Sequence, residues 1–207
     1  EGIKPGDRIA VFLYKDSKDR YIATTNRPKL AVGELAVLRV LEVGKIGAFL
    51  DWGLEKDLFL LFKEMTGRVK LEDEILVTLY IDKSKRLCAS MRGLYDLLQK
   101  NSPYQKGDMV SGRIYEFSEN FGTFVAVDDT YSAMFPIFED CSKLRIGDVV
   151  TARITNVKPD GKLDLTLREK AYLQMDADAE KVMKVIEEYA GVLPFNDKAS
   201  PEVIKRE

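Results

Sequence analysis

The sequence predicts an all-β protein of tandem five-stranded barrels, followed by a helical segment at its C-terminal end. Apolar and polar residues alternate along segments such as 37–43, which is typical of strands that bury one face. A unit of about 70 residues is repeated, with its opening glycine at Gly33 and again at Gly107. After residue 169 apolar residues recur at spacings of three, four and seven, which indicates an amphipathic helix.

The repeated unit ends in a β-hairpin that occurs three times along the chain. Its copies are GDRIAVFLYKDSKDRYIAT from Gly6, EDEILVTLYIDKSKRLCAS from Glu72 and GDVVTARITNVKPDGKLDLT from Gly147. Each copy is a run of strand-forming residues, a polar turn and a second run, which predicts two paired strands. A different half-unit precedes the last two copies, and five short strands in about 70 residues fit a small closed barrel. Gly47 and Gly122 are predicted to lie where strands bend at a barrel corner.

The repeat divides the chain into four predicted parts. Residues 1–31 hold the rear half of a first barrel, while residues 32–101 and 102–169 each hold a full barrel. Residues 170–207 hold a linker helix and the start of a further domain, in which Ser200 precedes a proline as a helix cap does.

The composition excludes several classes of chemistry. The 207 residues include no histidine, which removes Ser-His-Asp and Cys-His catalytic pairs and histidine metal sites. The 2 cysteines are too few for a structural zinc site and are expected to be buried thiols in a reducing cytoplasm. We therefore expect no enzyme activity, no metal and no cofactor.

The charge balance restricts how the chain binds nucleic acid. Lys and Arg number 32 and Asp and Glu 34, a formal net charge of −2 that excludes a uniformly basic surface. Any contact with RNA or DNA must use a local patch, because affinity for phosphate follows positioned cations.

The sequence predicts neither a membrane span nor a signal peptide. Its longest apolar run, from Leu58 to Phe62, falls far short of the roughly 18 residues that a spanning helix needs. A cytoplasmic protein is expected, with no membrane partner. The start at Glu1 rather than Met indicates a fragment or a processed product.

The glycine and aromatic pattern of the repeat resembles a known RNA-binding domain. The second full copy contains the segments Gly112-Arg113-Ile114, Phe121-Gly122-Thr123-Phe124-Val125 and Gly161-Lys162-Leu163. This pattern is similar to the RNA-binding domain of ribosomal protein S-one, which has an OB-fold barrel. The chain as a whole resembles the conserved virulence factor B family, in which such domains run in tandem and a winged-helix domain follows. The resemblance implies that residues 192–207 begin that winged helix.

The resemblance also implies where RNA would bind. In the barrel family two aromatic residues flank a glycine motif and stack on bases, and these positions hold Phe121 and Phe124 in the second full barrel. In the first full barrel they hold Ile46 and Phe49, so one aromatic is missing. The family also has a histidine, whose place is taken by Pro136 in the second full barrel and by Leu60 in the first.

A late Asp and Arg of the family contact the nucleic acid from the last hairpin. The second full barrel has Lys158 and Lys162 in these places, so the acid has become a base and the cation is kept. The other copies have Asp82 with Arg86 and Asp16 with Arg20. The complete set of predicted RNA-binding residues is Phe121, Phe124, Arg113, Arg153, Lys158, Lys162, Phe49, Arg39, Arg86 and Arg20.

Two interpretations compete with this site. Phe121 and Phe124 are alternatively core residues, since aromatics are common in strands, although the polar neighbour of Phe121 favours exposure. The other alternative is a protein-interaction scaffold associated with the translation or transcription machinery. Its basis is the apolar set Ile46, Trp52, Leu60 and Phe62 in the first full barrel, where an exposed patch would mark a protein partner.

Trp52 is equally well explained as a core residue, so the exposure of Ile46, Trp52 and Leu60 decides between these alternatives. The function that we expect is a cytoplasmic, non-enzymatic protein that binds single-stranded RNA. The resemblance implies a post-transcriptional regulator of gene expression, including virulence genes.

Overall fold

The computed structural model describes residues 4, 6–16, 18, 20–167 and 183–184 of the chain. Residues 1–167 form one unit and residues 168–207 a second. In the second unit only Met183 and Lys184 are described, and both are helical. The rest of the predicted linker helix and the predicted winged-helix start lie outside the described residues.

An antiparallel hairpin of strands β1 (Phe12–Lys15) and β2 (Tyr21–Thr24) opens the fold. Phe12 and Tyr14 meet the ring of Trp52 edge to face, at centroid distances of 5.8 and 6.0 Å. An isolated hairpin is marginal in water, so this aromatic contact holds it on the neighbouring barrel. Trp52 is buried under the hairpin, which identifies it as a core residue.

The first full barrel closes in the strand order β3-β4-β5-β7-β6. A short 3₁₀ turn, Phe62–Glu64, follows its third strand. Its strands are β3 (Leu35–Val43), β4 (Gly47–Asp51), β5 (Leu58–Leu61), β6 (Glu74–Ile81) and β7 (Leu87–Ser90).

The second full barrel repeats this topology as β10-β12-β11-β8-β9, after a one-turn helix, α1 (Leu94–Leu97), in the linker between the barrels. Two closed five-stranded barrels confirm the predicted fold class. The strands are β8 (Met109–Ser118), β9 (Gly122–Val127), β10 (Tyr131–Pro136), β11 (Val149–Val157) and β12 (Leu163–Thr166).

Register shifts interrupt the strands at one place in the first barrel and at two in the second, where one of them lies in β11 between Ile154 and Asn156. Leu38 and Val40 of β3 are buried while Arg39 between them is exposed, as a one-sided strand requires. The register with β4 shifts between Val40 and Glu42, so Leu41 is an extra residue in a β-bulge. Tyr115 is the corresponding extra residue of β8, since the register of that strand shifts between Ile114 and Glu116.

Gly47 and Gly122 begin β4 and β9, where two backbones come too close for any side chain. A Cβ on Gly47 would lie 2.2 Å from the carbonyl oxygen of Leu60, and one on Gly122 would lie 2.1 Å from that of Phe135. Gly122 also has a φ of +115°, which residues with a side chain rarely adopt. Both glycines are therefore required by the close approach of neighbouring strands.

The three predicted hairpins share one turn geometry. The backbone N–H of Asp16 donates to the carbonyl of Arg20, and Asp82 and Lys158 donate in the same way to Arg86 and Lys162. These bonds measure 2.9, 2.9 and 2.8 Å, so the repeat seen in the sequence is also a repeat of backbone structure.

Each barrel closes through a short parallel seam. β5 meets β7 at the pairs Phe59–Cys88 and Leu60–Ala89, and β10 meets β12 at Ala133–Leu163 and Met134–Asp164. In each barrel a glutamate from the loop after the third strand accepts hydrogen bonds from a hydroxyl at the end of the last strand. Glu64 accepts a hydrogen bond from the Ser90 hydroxyl at 2.8 Å, and Glu139 accepts bonds from the Thr166 hydroxyl at 3.0 and 3.1 Å.

The two full barrels pack directly on each other. Leu76 of β6 joins Tyr115 and Ala126 of the second barrel in one buried cluster, together with Leu94 and Leu98 of the linker. On the other side of this interface, a Cβ on Gly67 would lie 2.6 Å from the side chain of Ile146. Because both barrels and the linker share this apolar core, their relative arrangement is fixed by packing.

Candidate functional site

A cleft of about 500 Å³ opens on the second full barrel. Its floor is formed by β9 and β10, and its walls come from the loop that follows β8, the turn between β11 and β12, and the linker. Clefts of this volume are typical of sites that hold a small molecule or a part of a polymer. In OB-fold barrels the same face of the second and third strands, with the same loops, binds oligonucleotides.

The two predicted stacking rings both line this cleft. Phe121 lies in the loop between β8 and β9 and is 64% exposed, so it is free to stack on a ligand. Phe124 lies on β9 and is half-buried, since its ring contacts those of Tyr115 and Tyr95 at 6.1 and 5.8 Å. Exposure of Phe121 fits the stacking interpretation, whereas Phe124 contributes both to the packing and to the cleft floor.

The turn between β11 and β12 brings two lysines to the cleft. Lys158 forms an ion pair with Asp164 at 2.9 Å, and Lys162 forms one with Asp160 at 2.6 Å. The Asp160 carboxylate, with a further contribution from the Tyr95 hydroxyl, raises the pKa of Lys162. Both lysines are therefore positioned cations, but a phosphate group has to compete with a carboxylate for each.

The cleft floor is made of small or flexible side chains. Ser132 and Ala133 of β10 are buried, and Met134 beside them is half-exposed opposite Phe124. A thioether adapts its shape to a neighbouring ring, so this floor accepts a flat apolar group. Rings, a soft floor and two cations together suit a planar base that carries a phosphate.

The structure places Arg113 elsewhere, so the expectation that it joins the other cations on one face is wrong. Its side chain is 8% exposed and lies between the barrels. It donates to the Asp129 carboxylate at 2.8 Å and to the carbonyls of Glu74 and Gly147 at 3.1 Å each. The physical reason is that the outer face of β8 at this position meets the first full barrel instead of solvent.

Arg153 and Arg39 also lie outside the cleft. Arg153 is on β11, half-buried, with Met109 and Thr166 as its neighbours in the sheet. Arg39 is exposed on β3, where it forms an ion pair with Glu72 at 3.2 Å. The structure therefore brings four predicted residues together, namely Phe121, Phe124, Lys158 and Lys162.

The corresponding face of the first full barrel has a different composition. Phe49 contacts Phe59 at a centroid distance of 5.1 Å, so the position opposite the predicted ring is filled by a second ring. Arg86 ends the equivalent turn, and the Asp82 carboxylate accepts its backbone N–H. In the N-terminal hairpin, Arg20 forms an ion pair with Asp16 at 2.7 Å.

The apolar set of the first full barrel is only partly exposed. Ile46 is 68% and Phe62 is 47% exposed, and the backbone N–H of Phe62 donates to the carbonyl of Ile46. Trp52 and Leu60 are buried, so of the two alternatives that the sequence left open these residues take the core one, and Ile46 alone of the three deciding residues is exposed. Leu60 is also one residue out of place as the counterpart of Pro136. The register pairs Gly47 with Leu61 and Gly122 with Pro136.

Tyr95 is an aromatic cleft residue that sequence reasoning missed. It lies in α1 of the linker, outside the repeated motif, and its ring has the ammonium of Lys162 at 4.8 Å and that of Lys100 at 5.8 Å. A signal was present in the spacing of Leu94 and Leu98, which are both buried and hold the intervening turn on the barrel.

Neither a metal cluster nor a membrane-crossing helix is found in the part of the chain that the structure describes. Its His, Cys, Asp and Glu side chains form no group of three or more that could hold a metal ion. No described helix has the length and apolar character needed to cross a membrane.

Part of this chain is similar to a known domain family. Residues 1–26 and 32–92 match the family model of the S1 domain. They cover the N-terminal hairpin and the first full barrel. The hairpin and the first full barrel are thus similar to the S1 domain, and the second full barrel repeats the strand order of the first.

Several relatives are similar to nearly the whole of this chain. Conserved virulence factor B of Staphylococcus saprophyticus is 26% identical over 97% of this chain and 69% of its own length. The protein of the same name from Staphylococcus haemolyticus is 25% identical over 98% of this chain and 70% of its own length. The resemblance to the conserved virulence factor B family is thereby confirmed. Uncharacterized protein YitL of Bacillus subtilis is 26% identical over 99% of this chain and 71% of its own length.

A solved structure has the same fold. It is a multidomain protein with nucleic acid binding domains from Streptococcus pneumoniae, matched with a TM-score of 0.65 at 24% identity. The match covers 100% of this chain and 76% of the other.

Proposed function

We propose that this chain binds single-stranded RNA in the cleft of the second full barrel, without catalysing a reaction. Bases stack on Phe121 and Phe124, and Lys158 and Lys162 contact phosphates. The observation that carries the proposal is the convergence of an exposed ring, a half-buried ring and two lysines on one cleft. The S1 domain match and the nucleic acid binding domains of the Streptococcus pneumoniae protein support it.

The exposed ring of Phe121 favours a single strand over a duplex. Unpaired bases offer flat faces to aromatic rings, whereas the bases of a duplex are already stacked on one another. Phe121 projects into solvent from a loop, so a strand can lay one base on it without entering the barrel core. Stacking of this kind tolerates any base and contributes about 1–3 kcal/mol for each ring.

The electrostatics favour modest and salt-dependent affinity. Residues 102–169 carry 8 basic and 11 acidic residues, so long-range attraction to RNA is weak. Each cleft lysine already has a carboxylate partner within 3 Å, and this ion pair has to be exchanged for a phosphate. Binding energy must therefore come mainly from ring contacts.

The test is a titration of the chain with single-stranded homopolymeric RNA, repeated at several salt concentrations. Replacing Phe121 and Phe124 by Ala is expected to weaken binding at least tenfold while the dependence on salt stays nearly the same. Phe138→Ala is the matched control, because this ring is 74% exposed on the same barrel and lines a different groove. A folded double variant that binds RNA like the parent would overturn the proposal.

A protein-interaction scaffold is the second candidate function. It is favoured by Ile46 and Phe62, which are exposed side by side on the first full barrel. These positions correspond to Phe121 and Ile137 of the second barrel, so an apolar surface there has replaced a stacking ring. If Ile46→Ser with Phe62→Ser abolishes copurification of a defined partner and RNA binding is unaffected by any cleft variant, the scaffold function is preferred.

The biological role that we infer is cytoplasmic, post-transcriptional regulation of gene expression, including virulence genes. It follows from RNA binding without catalysis and from the name that the relatives share. Loss of the cleft rings is expected to change transcript stability or translation in cells while transcription from the same promoters is unchanged. Unchanged transcript levels and protein synthesis in cells with the double variant would contradict this role.

A further inference from the structure

The linker between the two full barrels is fixed on the second barrel at several points. Leu94 and Leu98 are buried among side chains of both barrels, one turn apart. The backbone of Gln99 then extends the edge of β10, since its N–H donates to Thr130 at 2.9 Å and its carbonyl accepts from Ser132 at 2.8 Å. The linker is therefore a structural part of the second barrel and not a flexible tether.

The next residue docks against the turn that carries the cleft lysines. A Cβ on Gly161 would lie 1.8 Å from the carbonyl oxygen of Lys100, so linker and turn are in backbone contact. Gly161 has a φ of +83° and no side chain, which leaves room for this approach. The position of the linker and the position of Lys162 are thereby tied together.

Tyr95 projects from this fixed linker into the cleft. Its ring is inclined at 71° to that of Phe124, with centroids 5.8 Å apart, so the two rings form a wall and a floor. The ammonium groups of Lys162 and Lys100 lie 4.8 and 5.8 Å from the Tyr95 centroid. The wall therefore carries positive charge at the point where a phosphate would follow a stacked base.

We propose that Tyr95 is a ligand-contacting wall of the cleft, which limits the position on Phe124 to one unpaired base with its phosphate. A base stacked on Phe124 has its edge toward the Tyr95 ring, and the two cations beside that ring face the phosphate. A paired base cannot enter, because its partner would occupy the space of the Tyr95 side chain. This inference rests on the proposed function and adds the linker to the site.

The first full barrel supports the cleft indirectly, by holding the linker that carries Tyr95. Leu76 of its strand β6 packs in the same buried cluster as Leu94 and Leu98, so the first barrel helps to hold the linker in place. The wall of the cleft is thus built by the tandem arrangement.

The experiment compares tyrosine variants of the full chain in fluorescence anisotropy titrations with single-stranded and duplex RNA of the same length. Tyr95→Ala is expected to weaken single-strand binding about tenfold and to reduce the preference for single strands over duplex. Tyr95→Phe, which keeps the ring, is expected to restore binding to within about threefold of the parent. Tyr104→Ala is the matched control, since this linker tyrosine is half-buried against Tyr131 outside the cleft.

A second readout does not depend on whether the alanine variant folds well. Tyr95→Trp places a fluorescent ring in the cleft, and saturation with single-stranded RNA is expected to quench its emission. The native Trp52 is buried under the N-terminal hairpin and supplies a constant background. RNA that binds Tyr95→Trp without changing its emission would overturn the proposal.

The outcomes separate the two proposals. If the parent binds no RNA, the proposed function fails and this inference fails with it. If the Phe121 and Phe124 variants lose binding while Tyr95→Ala binds like the parent, the cleft is correct and the wall alone is wrong.

Discussion

The two full barrels have the same strand order and differ in what fills the groove over their second and third strands. Register alignment pairs Met134 with Phe124 in the second barrel and Phe59 with Phe49 in the first. In the first barrel two rings meet at 5.1 Å, whereas in the second a flexible methionine lies under the ring. The residue opposite the ring is thus a main difference between the two grooves.

The turn beside each groove also differs in charge, being basic in the second barrel and acidic in the first at one equivalent position. The turn of the second barrel carries Lys158, while the first has Asp82 at that place. Asp57 is a further acid beside the first groove, and its pKa is raised by desolvation and then by the nearby Asp51 and Glu42 carboxylates. The same fold thus carries two different groove surfaces, and we expect any difference in function between the barrels to come from the grooves.

The largest expected effect is on stability and concerns the glycine that both barrels have where neighbouring strands approach closely. Gly122→Ala is expected to destabilise the protein by about 4 kcal/mol, because its Cβ meets a backbone carbonyl and its φ is positive. Gly47→Ala meets the Leu60 carbonyl and the Phe59 ring without a positive φ and is expected to cost about 2–3 kcal/mol. Urea unfolding followed by circular dichroism measures both. Equal and small losses, below about 1 kcal/mol, would contradict the close-approach argument.

The next largest effect is expected when the residue opposite the ring is exchanged between the two barrels. Met134→Phe is expected to weaken RNA binding about tenfold, since a second ring then occupies the cleft as it does in the first barrel. Phe59→Met, the reciprocal change, is expected to leave RNA binding within about twofold, because the first groove keeps its acids. Titration of both variants with the same RNA measures the difference. Loss of binding in Phe59→Met would show that the first barrel is the binding surface.

Exchange of the turn charges is expected to have a smaller effect. Lys158→Asp gives the second barrel the acid of the first and is expected to weaken binding severalfold at low salt. The slope of log affinity against log salt should fall by about 0.7, the value for one lost phosphate contact on a single strand. Asp82→Lys is the reciprocal variant, for which we expect an unchanged slope. An unchanged slope in Lys158→Asp would remove this lysine from the site.

The smallest expected effect concerns a tyrosine that only the first barrel has. Burial, with Glu64, Cys88 and Asp82 nearby, raises the pKa of Tyr80 from 10.0 to about 12. The folded state therefore holds more protons than the unfolded state between these pH values, and stability falls as pH rises through them.

Replacing this tyrosine tests the sign of that effect. Tyr80→Phe is expected to flatten the alkaline loss of stability and to be nearly neutral at pH 7, because its buried hydroxyl has no hydrogen-bond partner. Urea midpoints at pH 8 and pH 11 measure the change. Tyr21→Phe, at an exposed ring of β2, is the control. A steeper alkaline loss in Tyr80→Phe would contradict the assignment.

Much of the fold was predictable because periodicity reports which residues face inward. The alternation in β3 and the repeated hairpins predicted two barrels, and Phe121 was expected to be exposed from its polar neighbour. A bulge shifts the register without a local signal, which is why Leu41 interrupted the pattern.

The site was less predictable, because periodicity does not say what an outward face meets. Arg113 points out of its own barrel as expected of a cation, yet the first full barrel covers it and binds it. Tyr95 lies outside the repeat, so no motif places it at the cleft. Both residues depend on how two barrels pack, which is a property of the tandem and not of either repeat.

The short parallel seams have a consequence for motion within the barrels. Each seam consists of two residue pairs, whereas the other strand pairs of both barrels have four to six. Local opening of a barrel therefore begins there, and the amide hydrogens of β12 exchange with solvent sooner than those of β8. Ala133, Met134 and Leu163 belong both to the second seam and to the cleft. If RNA binds across these residues as proposed, it bridges the seam, and occupancy of the cleft is expected to slow local opening of this barrel.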